Sequence, residues 1–143
     1  MDVREPDSES ARTILVVDDN QDICDFVRAA LETGGYKVRT VADGADALAL
    51  QRKSRAALLV TDIFMPGMEG FETIAHFKTE FPQTRIVVMS AGSIPSMKHD
   101  FLATAALLGV GATLRKPFTA GELLDAVRKV LGAPWPDAGL VAR

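Results

Sequence analysis

The hydrophobic positions change period along the chain. The run Thr13-Ile14-Leu15-Val16-Val17 is continuous, mostly β-branched and stops at Asp18-Asp19, which predicts a strand buried on both faces that opens onto a polar edge. Ala57-Leu58-Leu59-Val60-Thr61 stops in the same way at Asp62, and Arg85-Ile86-Val87-Val88-Met89 stops at Ser90-Ala91-Gly92. Tyr36-Lys37-Val38-Arg39-Thr40-Val41 alternates instead, the pattern of an edge strand. A fifth strand near Ala112-Thr113-Leu114-Arg115 is expected mainly from its position.

Between the strands the period becomes helical. In residues 20–33, Ile23, Phe26, Val27, Ala30 and Leu31 fall on one predicted helix face, stopped by Gly34-Gly35. Residues 44–53 are rich in Ala and Leu, 70–80 carry Phe71, Ile74 and Ala75, and 98–108 carry Phe101, Leu102, Ala105 and Leu108. The last helix spaces Leu123, Leu124, Val127, Val130 and Leu131 helically, and Thr119-Ala120-Gly121-Glu122 ahead of it reads as a capping box. Strands alternating with helices predict βαβ units with right-handed crossovers: an α/β fold, five parallel strands and five helices in a doubly wound, three-layer sandwich. The ligand of such a sheet sits beyond the carboxyl ends of its strands.

Composition narrows the class. At 143 residues, 48% hydrophobic and 24% charged, the chain reads as one ordinary globular domain. The net charge of −3 lies wholly in the first ten residues, where Asp2, Glu5, Asp7 and Glu9 face Arg4. Residues 1–11 are therefore expected to form a disordered acidic tail, 12–132 the domain, and 133–143 a short segment too small for an output domain. The balanced domain lacks the basic excess of a nucleic-acid binder, and no apolar run approaches a membrane span, so neither nucleic acid nor membrane is expected as a direct partner. A single cysteine, Cys24, forms no internal disulfide, and a reducing cytoplasm is the expected location.

The strand ends carry the chemistry. Asp18 and Asp19 end the first strand, Asp62 the third and Ser90 the fourth, while Lys116 follows the fifth. Three converging carboxylates repel one another unless some are protonated or a cation sits among them. A hard cation taking oxygen ligands and keeping waters is Mg²⁺. An Asp carboxylate is a competent nucleophile toward phosphorus, and the transfer needs little beyond alignment and charge neutralisation, which Mg²⁺ and one ammonium supply.

The chain here resembles the receiver domains of two-component response regulators. The resemblance covers residues 12–132 and rests on Val16-Val17-Asp18-Asp19-Asn20, Thr61-Asp62-Ile63-Phe64-Met65-Pro66-Gly67-Met68-Glu69-Gly70, Ser90-Ala91 and Lys116-Pro117-Phe118, in that order. It implies a flavodoxin-like sheet of order 2-1-3-4-5. It also implies Asp62 as phosphoacceptor and Asp19 as direct Mg²⁺ ligand, with Asp18 acting partly through water. The backbone carbonyl of Phe64 would be a further ligand, Lys116 the partner of the phosphoryl group, Ser90 the switch hydroxyl, and Lys116–Pro117 a cis peptide. Such a protein takes phosphate from a histidine kinase or phosphotransfer protein. It catalyses only its own phosphorylation and dephosphorylation, as a monomer or weak dimer, and reaches a downstream protein through the helix over 98–108, the fifth strand and the last helix.

Three departures stand out. Thr113 occupies the position where the family usually has an aromatic switch residue, so signalling is expected to pass through the loop after Ser90 and the helix over 98–108. The interval from Ser90 to Lys116 is longer than usual, which predicts a long, mobile loop over 92–97. Phe64 and Gly92 stand where polar side chains commonly influence the attacking water, so slow autodephosphorylation is expected. His76 and His99 read as surface residues, Met65, Met68, Met89 and Met97 as gap fillers, and Trp135 as docked on its own domain. The alternatives are a phosphate-independent interaction module, an excised domain of a longer regulator, and an Asp-nucleophile phosphatase. The last is disfavoured because Phe64 stands where its acid would be.

Overall fold

A computed structural model describes residues 11–63, 69–90 and 109–132. The elements are β1 (Thr13–Val17), α1 (Gln21–Thr33), β2 (Lys37–Val41), α2 (Gly44–Lys53), β3 (Leu58–Asp62), α3 (Glu69–Glu80), β4 (Arg85–Ser90), β5 (Ala112–Arg115) and α4 (Ala120–Leu131). All five strands are parallel and lie in the order β2-β1-β3-β4-β5, as expected. Four of the five expected helices lie among the described residues; the helix over 98–108, the loop over 92–97 and Trp135 lie outside them, as do residues 1–10 of the acidic segment. Ala11, placed in that segment by composition, has helical backbone together with Arg12.

Alternation along each strand splits the core in two. Ile14, Val16, Leu58, Val60, Val87, Met89 and Leu114 point to the side covered by α1 and α4, where Val27, Leu31, Leu123 and Val127 meet them. Leu15, Val17, Leu59, Ile86 and Val88 point to the other, covered by α2 and α3 through Ala47, Ile74 and Phe77. Each such side chain contributes about 1.5–3 kcal/mol by leaving water. β1, β3 and β4 are buried on both faces and β2 only in part.

The helices correct two details of the periodic reading. Phe26 is 40% exposed, and the thiol-bearing Cys24 takes a core position instead. The buried stripe of α1 is centred on Val27 and Leu31, so Cys24, one turn before Val27, lies within it and Phe26, about 100° round from Val27, falls at its edge. On α3, Ala75 is exposed and Phe77 is fully buried, because the stripe follows Ile74 by three residues.

Register brings the polar strand ends level. Val17 pairs with Thr61 and Asp62 pairs with Met89, so Asp18 and Asp62 each stand one residue past a matched β1–β3 pair. Ile63 N–H extends the ladder to Met89 O at 3.0 Å, and Lys116 N–H donates to Ser90 O at 2.6 Å.

Candidate phosphoacceptor and metal site

Asp18, Asp19 and Asp62 each place a carboxylate oxygen within 4.8 Å of the others. Asp18 and Asp62 are buried, at 2% and 5% exposure, while Asp19 is exposed. The difference follows from the chain path: Asp18 N–H still continues the sheet by donating to Val41 O at 3.2 Å, whereas Asp19 leads into the turn before α1.

Asp18 is fixed on several sides. Asn20 N–H donates to its Oδ1 at 2.8 Å, Lys116 Nζ donates to its Oδ2 at 2.9 Å, and the Cys24 thiol donates to its carbonyl at 3.3 Å. Asn20 also caps α1, its side-chain oxygen accepting from Asp22 and Ile23 N–H. This positioning role was not singled out in sequence, although an Asn directly before a helical pattern is the signal for it.

Lys116 Nζ reaches Asp62 Oδ2 as well, at 3.6 Å. One ammonium against three carboxylates leaves two negative charges within a few ångströms. At about 4 Å, each like-charge pair costs roughly 1 kcal/mol in water and more where the dielectric falls. A hard divalent cation with oxygen ligands fits the remaining donor set, entering beside exposed Asp19. The expected ligand carbonyl of Phe64 lies outside the described residues.

The rest of the mouth is built by the sheet and by α4. Ser90 is fully buried at the end of β4. The Lys116–Pro117 peptide is cis. Thr119 and Glu122 form the expected capping box, with Glu122 N–H donating to Thr119 Oγ1 at 3.0 Å and Thr119 N–H donating to Glu122 Oε1 at 2.8 Å. Thr113 sits exposed on the edge strand β5. Beside the mouth, Ile23, Phe26, Lys116, Pro117 and Phe118 line an apolar hollow of about 530 Å³, where the Phe26 and Phe118 rings meet at 6.0 Å. His76 is exposed and Met89 fully buried, as read from sequence; His99, Met65, Met68 and Met97 lie outside the described residues.

Residues 14–128 match the family described as the response regulator receiver domain. The chain belongs to that family. The receiver is 35% identical over 135 residues to the DNA-binding transcriptional regulator NtrC of Azospirillum brasilense, a match covering 93% of this chain and 27% of that protein. It is 34% identical over 118 residues to the transcriptional regulatory protein HprR of Escherichia coli, covering 82% of this chain and 51% of that one. The chain thus spans about half or less of the length of these two relatives. Against sporulation initiation phosphotransferase F of Bacillus subtilis, the receiver is 32% identical over 118 residues, covering 82% of this chain and 92% of that protein. The chemotaxis protein CheY4 of Vibrio cholerae superposes with a TM-score of 0.73 at 31% identity, over 82% of this chain and 97% of that one. Among the described residues no helix is long and apolar enough to cross a membrane.

Proposed function

We propose that this receiver accepts a phosphoryl group on Asp62 from a phosphohistidine of a histidine kinase or phosphotransfer protein. The observation that carries the reading is the position of Lys116, whose ammonium lies between the buried carboxylates of Asp18 and Asp62 at 2.9 and 3.6 Å. An incoming phosphoryl group adds negative charge beside Asp62, and a cation already there offsets it without reorganisation.

In the proposed transfer an Asp62 carboxylate oxygen attacks phosphorus, a P–O bond forms, and the P–N bond to the donor imidazole breaks, leaving that histidine neutral after protonation. Asp18, Asp19 and Asp62, with the Phe64 carbonyl, are the proposed Mg²⁺ ligands. When bound, Mg²⁺ neutralises charge on the transferring oxygens. Asp18, held by Asn20 N–H and Cys24, keeps the cluster in register. Lys116 exchanges its contact with Asp62 for the new phosphoryl oxygens, and the Ser90 hydroxyl turns toward them.

The similarity to a phosphotransferase over 92% of that protein's length supports a role in a phosphorelay. The apolar hollow at Phe26 and Phe118 gives a donor protein something to pack on beside the mouth. Downstream, we propose signalling by protein contact in the cytoplasm, as a monomer or weak dimer, through the segment 98–108, β5 and α4. With Thr113 small and exposed, the loop after Ser90 carries the change.

Incubation with Mg²⁺ and a small phosphodonor, followed by intact mass, tests the reading. Wild type should gain one phosphoryl group and Asp62→Ala none. A wild-type protein that gains nothing would instead be a phosphate-independent interaction module.

A further inference from the structure

At the opposite end of the sheet from Asp62 lies a second concavity, of about 360 Å³. It gathers strand entrances: Ala57 stands just before β3, and Thr84 and Arg85 stand at the start of β4. Leu131, the last residue of α4, is also on its wall. That leucine packs against the core on the α1–α4 side yet is only half-buried, so further cover over it is favourable.

Arg85 is held beside this leucine. Its Nη1 donates to Val130 O at 2.8 Å, which fixes the guanidinium against the end of α4. Such a hydrogen bond lies in the guanidinium plane and is compatible with an aromatic ring stacked on a flat face. Arg55, also on the lining, packs on an aromatic in this way, with its guanidinium carbon 5.3 Å from the Phe81 ring centroid. The cleft thus joins apolar carbon from Ala57 and Leu131 to a planar cation, surroundings that suit an amphipathic aromatic ring.

The chain carries one such ring within reach. Trp135 is its single tryptophan and follows Leu131 by four residues, a contour of at most about 14 Å. Gly132 N–H still donates to Arg128 O at 2.8 Å, but its φ of 91° departs from the helix, so the chain turns off the α4 axis beside the cleft. Pro134 and Pro136 flank the tryptophan. Each proline fixes its own φ and biases the residue before it toward extended backbone, which reduces the entropy lost on docking. The competing seat is the apolar hollow at Phe26 and Phe118, and α4, at 12 residues and about 18 Å, separates it from Leu131.

We propose that the cleft beside Arg85 and Leu131 is the docking site of this chain's own Trp135. The indole covers Leu131 and stacks on the Arg85 guanidinium, removing roughly 150–250 Å² of aromatic surface from water. The contact latches the end of α4 to the floor of the sheet and leaves the Asp62 mouth open to phosphodonors. It rests on packing and not on net charge.

The full chain tests this through its own tryptophan. Native emission should be blue-shifted and protected from acrylamide relative to the urea-unfolded chain. In about 1 M salt, where charges are screened within about 3 Å, it should be unchanged. Nuclear Overhauser contacts should join the indole protons to Ala57, Thr84 and Leu131. Trp135→Ala should move the amides of Ala57 and Thr84, both remote in sequence, and Trp135→Phe should move them less. An indole as exposed in the native protein as in urea, with those amides unmoved, overturns the proposal. So does emission that reverts in salt, which would make the contact one of charge, or indole contacts to Phe26 and Phe118, which would place the ring in the other hollow. Protection that fades on dilution also overturns it, by making a second copy of the chain the partner of the indole.

Discussion

Lys116 and Asp18 stand 98 residues apart in sequence and 2.9 Å apart in space, ammonium to carboxylate. The Asp18 side chain is 1% exposed and the Lys116 side chain 20%, so the pair works largely out of water. Breaking such a pair leaves the remaining charge uncompensated, which costs more than the pair itself contributes.

Lys116→Ala should accordingly destabilise the metal-free receiver by about 3 kcal/mol, read as a lower urea midpoint. Added Mg²⁺ should recover a large part of the loss, since a cation that binds only the folded cluster stabilises it by mass action. A variant as stable as wild type without Mg²⁺ would remove Lys116 as the internal counterion.

Asp19→Asn should act in the opposite direction. It removes one of three mutually repelling carboxylates at the exposed edge of the cluster, so the metal-free protein should gain roughly 1 kcal/mol. Its melting temperature should then respond little to Mg²⁺. A retained Mg²⁺ response would move the metal away from Asp19.

Gly70 is where α3 packs against the chain leaving Asp62. A Cβ on Gly70 would lie 2.0 Å from Ile63 O and 2.4 Å from Ile63 C, and backbone atoms cannot swing aside as a side-chain end can. Gly70→Ala should cost about 1–3 kcal/mol and also slow phosphorylation with a small donor, because the shift falls one residue past Asp62. Stability lost with the phosphorylation rate unchanged would confine the effect to packing.

Gln51 is fully buried and bonds three ways: Nε2 donates to Ala56 O at 3.1 Å and to Thr84 Oγ1 at 3.0 Å, and Oε1 accepts from Ala56 N–H at 2.9 Å. Gln51→Leu leaves the Ala56 backbone groups without these partners, at about 1–3 kcal/mol for each buried group. The loss should appear in denaturant midpoints while phosphorylation at the far end of the sheet is preserved.

Arg52 holds the Glu80 carboxyl below the usual carboxylate range, chiefly by hydrogen bonding. A depressed folded pKa adds stability above the unfolded value and loses it as pH falls through the folded one. Both side chains are well exposed, so the effect is small and sensitive to salt. Midpoints of wild type and Glu80→Gln measured across pH should differ at neutral pH and converge in acid. A gap that persists in acid would assign the effect to packing.

Much of this was legible in the chain because local physics and tertiary position agree. The β-branched runs into Asp18, Asp62 and Ser90 could be read as doubly buried strands, and alternation through Lys37–Val41 marked β2 as an edge. Thr119 and Glu122 announced the start of α4. Where the reading slipped, at Phe26, Cys24, Ala75 and Phe77, the cause is that a periodic list does not locate the centre of a helix stripe. That centre is set by the sheet beneath it.

The sequence by itself determined which candidate residues stand at the strand ends and in what order, since strand ends are where apolar runs yield to carboxylate, hydroxyl and ammonium. Only the tertiary structure decided their unequal surroundings. Parallel register sets Asp18 level with Asp62. The turn into α1 leaves Asp19 in solvent while Asp18 is sealed beneath Asn20, and packing of α4 on the sheet brings Lys116 between two buried charges. The net charge conceals all of this, because electrostatic energy depends on separation and burial, which exist only once the chain has folded.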